Sequence, residues 1–364
     1  MNILVLVEDY PDNDGRVALY FAHARNIEYV AQGIGVTVLN FSAEKDYGID
    51  GVQVITIESY VKQKEKWGGL LVAHAANIRH HYKFIKKYGN RFRKFVFFFH
   101  GHEVLRCSKV YPKPYSYIKE GSAFSRITKD IYDLFKLNIW RRAFIKYLDK
   151  SHFIFVSQWM LDEFVKWVKI PESKLEGHKS IIYNCIGKQF ETAKYDEAAE
   201  KVYDFVSVRS DLDGSKYCVD IIAKIARDNP ELKFCIVGKG GYFKHFEKPD
   251  NLELQQRYLT HKDMVELLNK SKCALMPTRT DAQGVMACEM ATFGIPLITS
   301  DIPVCMEVFE GFENVGFFDN DAKNIDIKNI YGDLVKNMPY KRNSKYFGNN
   351  TVEQEIRLLK DLQE

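Results

Sequence analysis

The stretch PTRTDAQGVMACEMATFGIPLITSD, residues 277–301, reads as the end of one strand, a loop, a short helix and the start of the next strand. Gly294-Ile295-Pro296 stops the helix, because glycine suits the position just past a helix end and proline cannot continue one. Ile295–Thr299 then reads as a buried strand. Gly284 stands where the helix begins, and a helix N-terminus offers unpaired N–H groups and partial positive charge that suit a phosphate. Val285 and Glu289 are four apart and share one helix face. Asp281 lies in the loop before the helix, so two carboxylates flank an anion-binding helix end, and carboxylates accept hydrogen bonds from sugar hydroxyls. Together these groups outline a nucleotide-sugar site.

Working outward, the same strand–helix alternation fills the chain. Strands are expected at Asn2–Val7, Val36–Phe41, Val52–Ile57, Lys94–Phe99, Phe153–Ser157 and Ser180–Asn184, with helical stretches at Tyr20–Val30, near Leu70–Tyr88, and at Met160–Val168. Lys188–Lys201 is polar and reads as a linker. A second alternation follows, with strands at Phe205–Val208, Lys233–Val237 and Cys273–Met276 and helices at Val219–Arg227 and Met264–Asn269. Thr260-x-x-Asp263 and Thr351-x-x-Gln354 both look like capping boxes, the latter opening a last helix with Val352, Ile356, Leu359 and Leu362 on its apolar face. Short apolar strands alternating with helices belong to parallel α/β sheets, and 364 residues favour two such domains.

Composition narrows the class. Hydrophobic residues at 46% and charged residues at 27% are ordinary for a globular protein. The seven cysteines are dispersed, with no C-x-x-C pair, which fits a reducing compartment. The start, MNILVLVEDY, reads as a first buried strand rather than a signal peptide, and no apolar run is long enough to cross a membrane. The net charge of +4 hides an asymmetry: residues 62–146 carry 20 Lys+Arg against 5 Asp+Glu, which leaves 32 against 43 elsewhere. A basic first half suggests an anionic surface or an acidic acceptor. Within it, Ile131, Leu134, Phe135, Trp140 and Phe144 recur at helical spacing among Lys and Arg, the pattern of a helix lying on an anionic membrane or of a core helix with a solvated basic face.

Arg209 and Lys216 follow the strand at Phe205–Val208, and two cations on one strand-end loop can clamp a diphosphate. Asp211-Leu-Asp213 in that loop is a D-x-D, but it sits among cations, and no metal is assigned. His100-Gly-His102-Glu103 follows the strand KFVFFF directly, where a polar cluster suits hydrogen bonding to a substrate. Gly15, after the first strand, would allow the backbone to approach a phosphate or simply shape the turn, and Gly238, in GKGG, reads as a turn near the nucleotide.

These pieces resemble the retaining glycosyltransferases of family 4 (glycosyl transferases group 1). The family's E-x7-E motif stands here as Asp281-Ala-Gln-Gly284-Val-Met-Ala-Cys-Glu289, followed by Gly294-Ile-Pro296, with the first acid one methylene shorter. Arg209 and Lys216 match its diphosphate clamp, with Val208 and Tyr217 where glycines are usual. Gly15 matches its N-terminal glycine loop, and His100 stands where the family has a histidine near the donor sugar. The resemblance implies an α/β GT-B fold: two facing Rossmann-like domains with a cleft between them, at 1–190 (acceptor) and 191–345 (nucleotide sugar), and a helix at 346–364 crossing back to the first. It implies that Glu289 binds the donor ribose and Asp281 the transferred sugar, while Arg209, Lys216 and the Gly284–Val285 backbone hold the diphosphate; Gly15 and Gly238 are candidates for donor binding. His102 and Glu103 are candidates for acceptor binding.

The implied activity is metal-independent transfer of a hexosyl or N-acetylhexosaminyl group, with no cofactor and no nucleic-acid partner. The donor is expected to be a UDP-sugar, with GDP-mannose as the second choice. The implied acceptor is a saccharide or lipid-linked saccharide of a capsule, lipopolysaccharide or other surface polysaccharide. The implied location is cytoplasmic, peripheral on the inner membrane face through residues 62–146. The departures at Asp281, Val208 and Tyr217 keep open a non-catalytic GT-B subunit that binds a partner transferase; a sugar-nucleotide epimerase or hydrolase is the third reading.

Overall fold

Lys94–Phe99, KFVFFF, has no polar residue after its first position, so both faces of this strand must be covered. The computed structural model, which describes residues 1–14, 18–63, 69–119 and 123–363, places it inside a parallel sheet. Gly15 lies outside the described residues. Eight strands form this sheet: β1 Asn2–Val7, β2 Gly35–Asn40, β3 Tyr47–Ile49, β4 Val52–Ile55, β5 Leu70–His74, β6 Lys94–Phe99, β7 Ser151–Phe155 and β8 Lys179–Ile181. Their order is β3-β4-β2-β1-β5-β6-β7-β8, and every pair is parallel except β3 with β4. Val96 and Phe98 join the core on one face of β6. On the other face Phe97 and Phe99 meet Phe144 and Phe164 at ring-centroid distances of 5.1 and 5.0 Å.

The second sheet has six parallel strands: β9 Tyr203–Asp211, β10 Phe234–Lys239, β11 Leu252–Gln255, β12 Ser271–Leu275, β13 Leu297–Ser300 and β14 Val315–Phe318, in the order β11-β10-β9-β12-β13-β14. The chain divides into two units, one of residues 1–107, 128–185 and 348–364, the other of 108–127 and 186–347. Each is a Rossmann-like α/β layer structure with its own apolar core.

The last helix, Val352–Asp361, packs in the first unit through Val352, Ile356 and Leu359. Glu355 on the same face is wholly buried and accepts hydrogen bonds from Arg25 Nε at 2.8 Å and Tyr29 Oη at 2.5 Å.

Several local expectations change. Leu70–Tyr88 is not one helical stretch: Leu70–His74 is the strand β5 between β1 and β6, and the helix is confined to His81–Tyr88. LLVAH is a short apolar run, which a buried strand and a buried helix share. The strand at Val52 ends at Ile55, because the Thr56 side chain accepts from Ser59 N and caps a short helix. The box at Thr260 forms as read, with both reciprocal bonds, but Thr351 makes no side-chain cap, since Gln354 donates to Asn350 O instead. Residues 108–127 group with the second unit, since Tyr115 and Tyr117 pack against its core.

Candidate functional site

In an open α/β sheet, ligands gather beyond the carboxyl ends of the strands where strand order reverses. In the second unit that point lies between β9 and β12: β10 and β11 run out on one side, β13 and β14 on the other. Arg209 and Lys216 come from the end of β9 and the loop after it, and Asp281–Glu289 from the segment after β12. Arg209, Lys216 and the Asp281–Glu289 segment therefore flank one crevice of the second unit, while His100, His102 and Glu103 lie in the first.

Gly284 caps the helix Val285–Phe293 in a left-handed conformation, φ 70°, that glycine adopts without strain. The Asp281 Oδ1 accepts from Ala282 N at 2.8 Å, which folds the loop ahead of the helix and leaves the helix's first N–H groups at its open end. One turn further in, Glu289 is buried. Its Oε1 accepts from Gly187 N at 3.1 Å and lies 3.5 Å from His261 Nε2. Burial pushes the Glu289 carboxyl up to about 7, against the opposing effect of the Gly187 N–H. His261 is lowered by burial, so the pair favours its uncharged forms.

Arg209 is buried and donates through Nη2 to Pro277 O at 2.5 Å, while its Nε has no hydrogen-bond partner among the described residues. Burial lowers its basicity, and Asp281 is among the groups that counter this. Gly238 is needed for a close approach: a Cβ there would lie 2.4 Å from the Arg209 carbonyl oxygen, at a φ of 155°. Gly238 thus seats Arg209. Lys216 sits in the one-turn helix Ser215–Tyr217, whose backbone is fixed where Thr278 Oγ1 and Arg279 N donate to Lys216 O at 3.1 and 2.9 Å. Tyr217, which stands where the resemblance expects glycine, places its ring 4.7 Å from Lys216 Nζ and 5.6 Å from Arg209 Cζ. The D-x-D carboxylate Asp213 accepts from Gly241 N and Tyr117 Oη, and so holds the loop together. Among the described residues no group of three or more His, Cys, Asp or Glu forms a metal cluster.

In the first unit the strand order reverses between β1 and β5, and His74 ends β5. His74 Nδ1 lies 3.1 Å from His100 Nε2, and the ring of His74 stacks on Phe98 at 4.4 Å. Burial, then the neighbouring Arg25 and histidine charges, drives both imidazoles to their neutral forms. Glu103 is buried and its carboxylate accepts the His100 N–H, whereas His102 is exposed. Beside them Glu8, at the end of β1, accepts from Asn77 Nδ2 at 2.6 Å and faces His80 Nδ1 at 2.8 Å. His74, Asn77 and His80 lie inside the stretch read as helical; the signal available was a histidine closing an apolar run. A polar cavity of about 490 Å³ opens beyond β1 and β2, lined by Tyr10, Asp12, Asn13, Asn40, Lys45 and Tyr47 among others.

The family model described as glycosyl transferases group 1 matches residues 189–348, the part that holds Arg209, Lys216, Asp281 and Glu289. No curated protein sequence matches the chain. Sucrose-phosphate synthase from Thermosynechococcus elongatus is similar in structure at a TM-score of 0.70, with 11% identity over 99% of this chain and 98% of that one. The fold is GT-B. This GT-B chain is also similar to Anabaena Alr3699/HepE in complex with UDP (TM-score 0.66, 14% identity, 99% and 100% covered). The catalytic domain of starch synthase IV from Arabidopsis thaliana, bound to ADP and acarbose, gives a TM-score of 0.58 at 11% identity, with 99% of each chain covered.

Proposed function

We propose that the protein is a retaining glycosyltransferase that moves a hexosyl or N-acetylhexosaminyl group from a UDP-sugar to a saccharide or lipid-linked saccharide in surface polysaccharide synthesis. The observation that carries this reading is the meeting, at the β9/β12 switch point, of two cations, an open helix N-terminus and a buried glutamate. Arg209, Lys216 and the Gly284–Val285 backbone hold the diphosphate, Glu289 accepts from the ribose hydroxyls, and Asp281 accepts from the transferred sugar. The C1–O bond to the diphosphate breaks on the face where the acceptor oxygen bonds to C1. The acceptor proton passes to the leaving phosphate oxygen, and the cations stabilise the charge left on it. In the first unit His100 is assigned a hydroxyl contact, and the cavity beyond β1 and β2 takes the acceptor. No metal is assigned, because the Asp213 oxygens are already engaged by protein donors; activity indifferent to a chelator is the check.

The reading includes a bilayer. The helix Ala123–Lys146 buries Leu137, Trp140 and Phe144 in the first unit, yet exposes a second apolar stripe, Ile127, Ile131, Leu134, Phe135 and Ile145, at the spacing of one helix face. Its acids turn inward: Asp130 pairs with Arg106, and Asp133 with Lys136 and Cys107 N. Lys129, Arg141, Arg142 and Lys146 stay exposed. Apolar side chains rimmed by cations fit an anionic lipid surface, at about 1 kcal/mol per cation. This pattern supports a peripheral position on the cytoplasmic membrane face.

A thermal-shift screen with nucleotide sugars tests the reading. A donor at 100 times its Kd adds about 2.7 kcal/mol of apparent stability. No shift with any UDP-sugar or GDP-mannose sinks it. For the bilayer, Ile131→Glu/Phe135→Glu abolishes co-sedimentation with phosphatidylglycerol vesicles and leaves turnover of a soluble acceptor unchanged.

A further inference from the structure

The connection after β6 leaves the first unit at Cys107 and returns to it at Thr128, and the chain between belongs to the second unit. Its sequence Tyr111-Pro-Lys-Pro-Tyr115-Ser-Tyr117 carries two prolines, which lowers the entropy lost on ordering it. Three tyrosines on this strap reach three points around Lys216. Tyr117 Oη donates to Asp213, before the Ser215–Tyr217 turn. Tyr115 Oη donates to Asp220 Oδ1 at 2.9 Å, after the turn. Tyr111 presents its ring 5.9 Å from Lys216 Nζ.

Each anchor is tied into the loop. Asp220 is gripped by Arg279 at 3.0 and 2.6 Å, and Arg279 Nη1 also donates to Ser215 O at 2.7 Å. Asp213 accepts Gly241 N at 2.8 and 2.9 Å. The strap is itself seated: Tyr117 stacks on His245 at 4.2 Å and 11°, and Tyr115 meets Tyr242 at 4.8 Å. Both hydroxyls are pushed upward in pKa, by burial first and by the carboxylates they bond, so they remain donors.

We infer that this strap positions the phosphate clamp: Tyr115 and Tyr117 pin the two flanks of the Lys216 turn, and the rings of Tyr111 and Tyr217 hold its ammonium at the end of β9. The inference rests on reading Arg209 and Lys216 as a diphosphate clamp. It predicts a defect confined to the phosphates. A loop anchored at both flanks presents its cation without paying ordering entropy on binding, and aromatic faces hold the ammonium without neutralising it.

The test is calorimetry with UDP and with uridine, which lacks the diphosphate. In Tyr115→Phe/Tyr117→Phe, which keeps the packed rings, UDP is expected to bind about tenfold more weakly, with uridine affinity unchanged and the protein still folded at the assay temperature. Tyr111→Leu weakens UDP several-fold, and Tyr111→Phe restores it. Equal loss of uridine and UDP, loss of both with a lowered melting temperature, or unchanged UDP affinity overturns the inference. If the wild-type protein binds no UDP, the reading of the site fails; if it does and the variants match it, only the strap inference fails.

Discussion

The two units share one architecture and differ in what it carries. Each is a parallel sheet whose strand order reverses once, at β1/β5 in the first and β9/β12 in the second, and each gathers polar residues beyond that reversal. The second collects positive charge, from Arg209, Lys216 and a helix N-terminus, beside the buried Glu289. The first collects imidazoles held neutral by burial, His74 and His100, beside an amide and a carboxylate, Asn77 and Glu8. The topology supplies a crevice, and the residues at the strand ends decide its chemistry. Fixed charge suits a diphosphate; neutral donors and acceptors suit hydroxyl groups.

The sharpest way to break that contrast is to remove a cation from the second unit. Lys216→Ala is expected to lower kcat/KM for a UDP-sugar by about 10³-fold, the upper range for losing one preorganised donor to a developing anion. UDP affinity should fall in calorimetry as well. Turnover within a few-fold of wild type would mean that charge is not what the second unit contributes. His100→Ala is the counterpart. Steady-state kinetics should show kcat down by about 10²-fold, a typical general loss of one positioned polar group, with UDP affinity unchanged. An equal loss of UDP affinity would erase the distinction between the units.

Much of the second unit's candidate site is legible in the sequence. Asp281 and Glu289 stand out because Gly284, Gly294 and Pro296 punctuate a short helix between two apolar runs, and such punctuation is local physics. Arg209 and Lys216 gained meaning from following a strand of the same sheet. What escaped notice has long reach or ambiguous period. His74 ends an apolar run that strand and helix share. Tyr115 meets Asp220 across 105 residues of sequence and Tyr117 meets Asp213 across 96, so no local pattern announces the strap. His261 approaches Glu289 in the same non-local way.

That last pair yields a smaller effect, in pH. Burial holds the Glu289 carboxyl at about 7, above its ordinary 4.5. A raised acid favours the folded state while protonated, so its contribution to stability is complete below pH 4.5 and is lost as pH rises through 7. On the proposed reading the ribose hydroxyls donate to the ionised carboxylate, the stronger acceptor. Uridine binding, followed by NMR titration, should therefore tighten about tenfold from pH 6 to pH 8, as the carboxylate fraction rises through a single ionisation. Uridine has no phosphate to titrate in that range. Glu289→Gln should flatten both this profile and the stability profile between pH 4.5 and 7. A wild-type uridine profile with no slope would detach Glu289 from the ribose.

The smallest effect separates the two units at the level of helix ends. Two sequences with one signature, Thr260-x-x-Asp263 and Thr351-x-x-Gln354, take different structures. In the second unit both reciprocal bonds form, at an exposed helix start. In the first, Glu355 is pulled into the core by Arg25 and Tyr29, and that buried ion pair sets how the helix enters its fold. Gln354 is left exposed, bonded to Asn350 O, outside any cap. Thr260→Ala should cost about 1 kcal/mol in chemical denaturation. Gln354→Ala should stay within about 0.5 kcal/mol. If Gln354→Ala costs as much as Thr260→Ala, the last helix is held by its cap after all, and the buried Arg25–Glu355 pair loses the role of fixing its start.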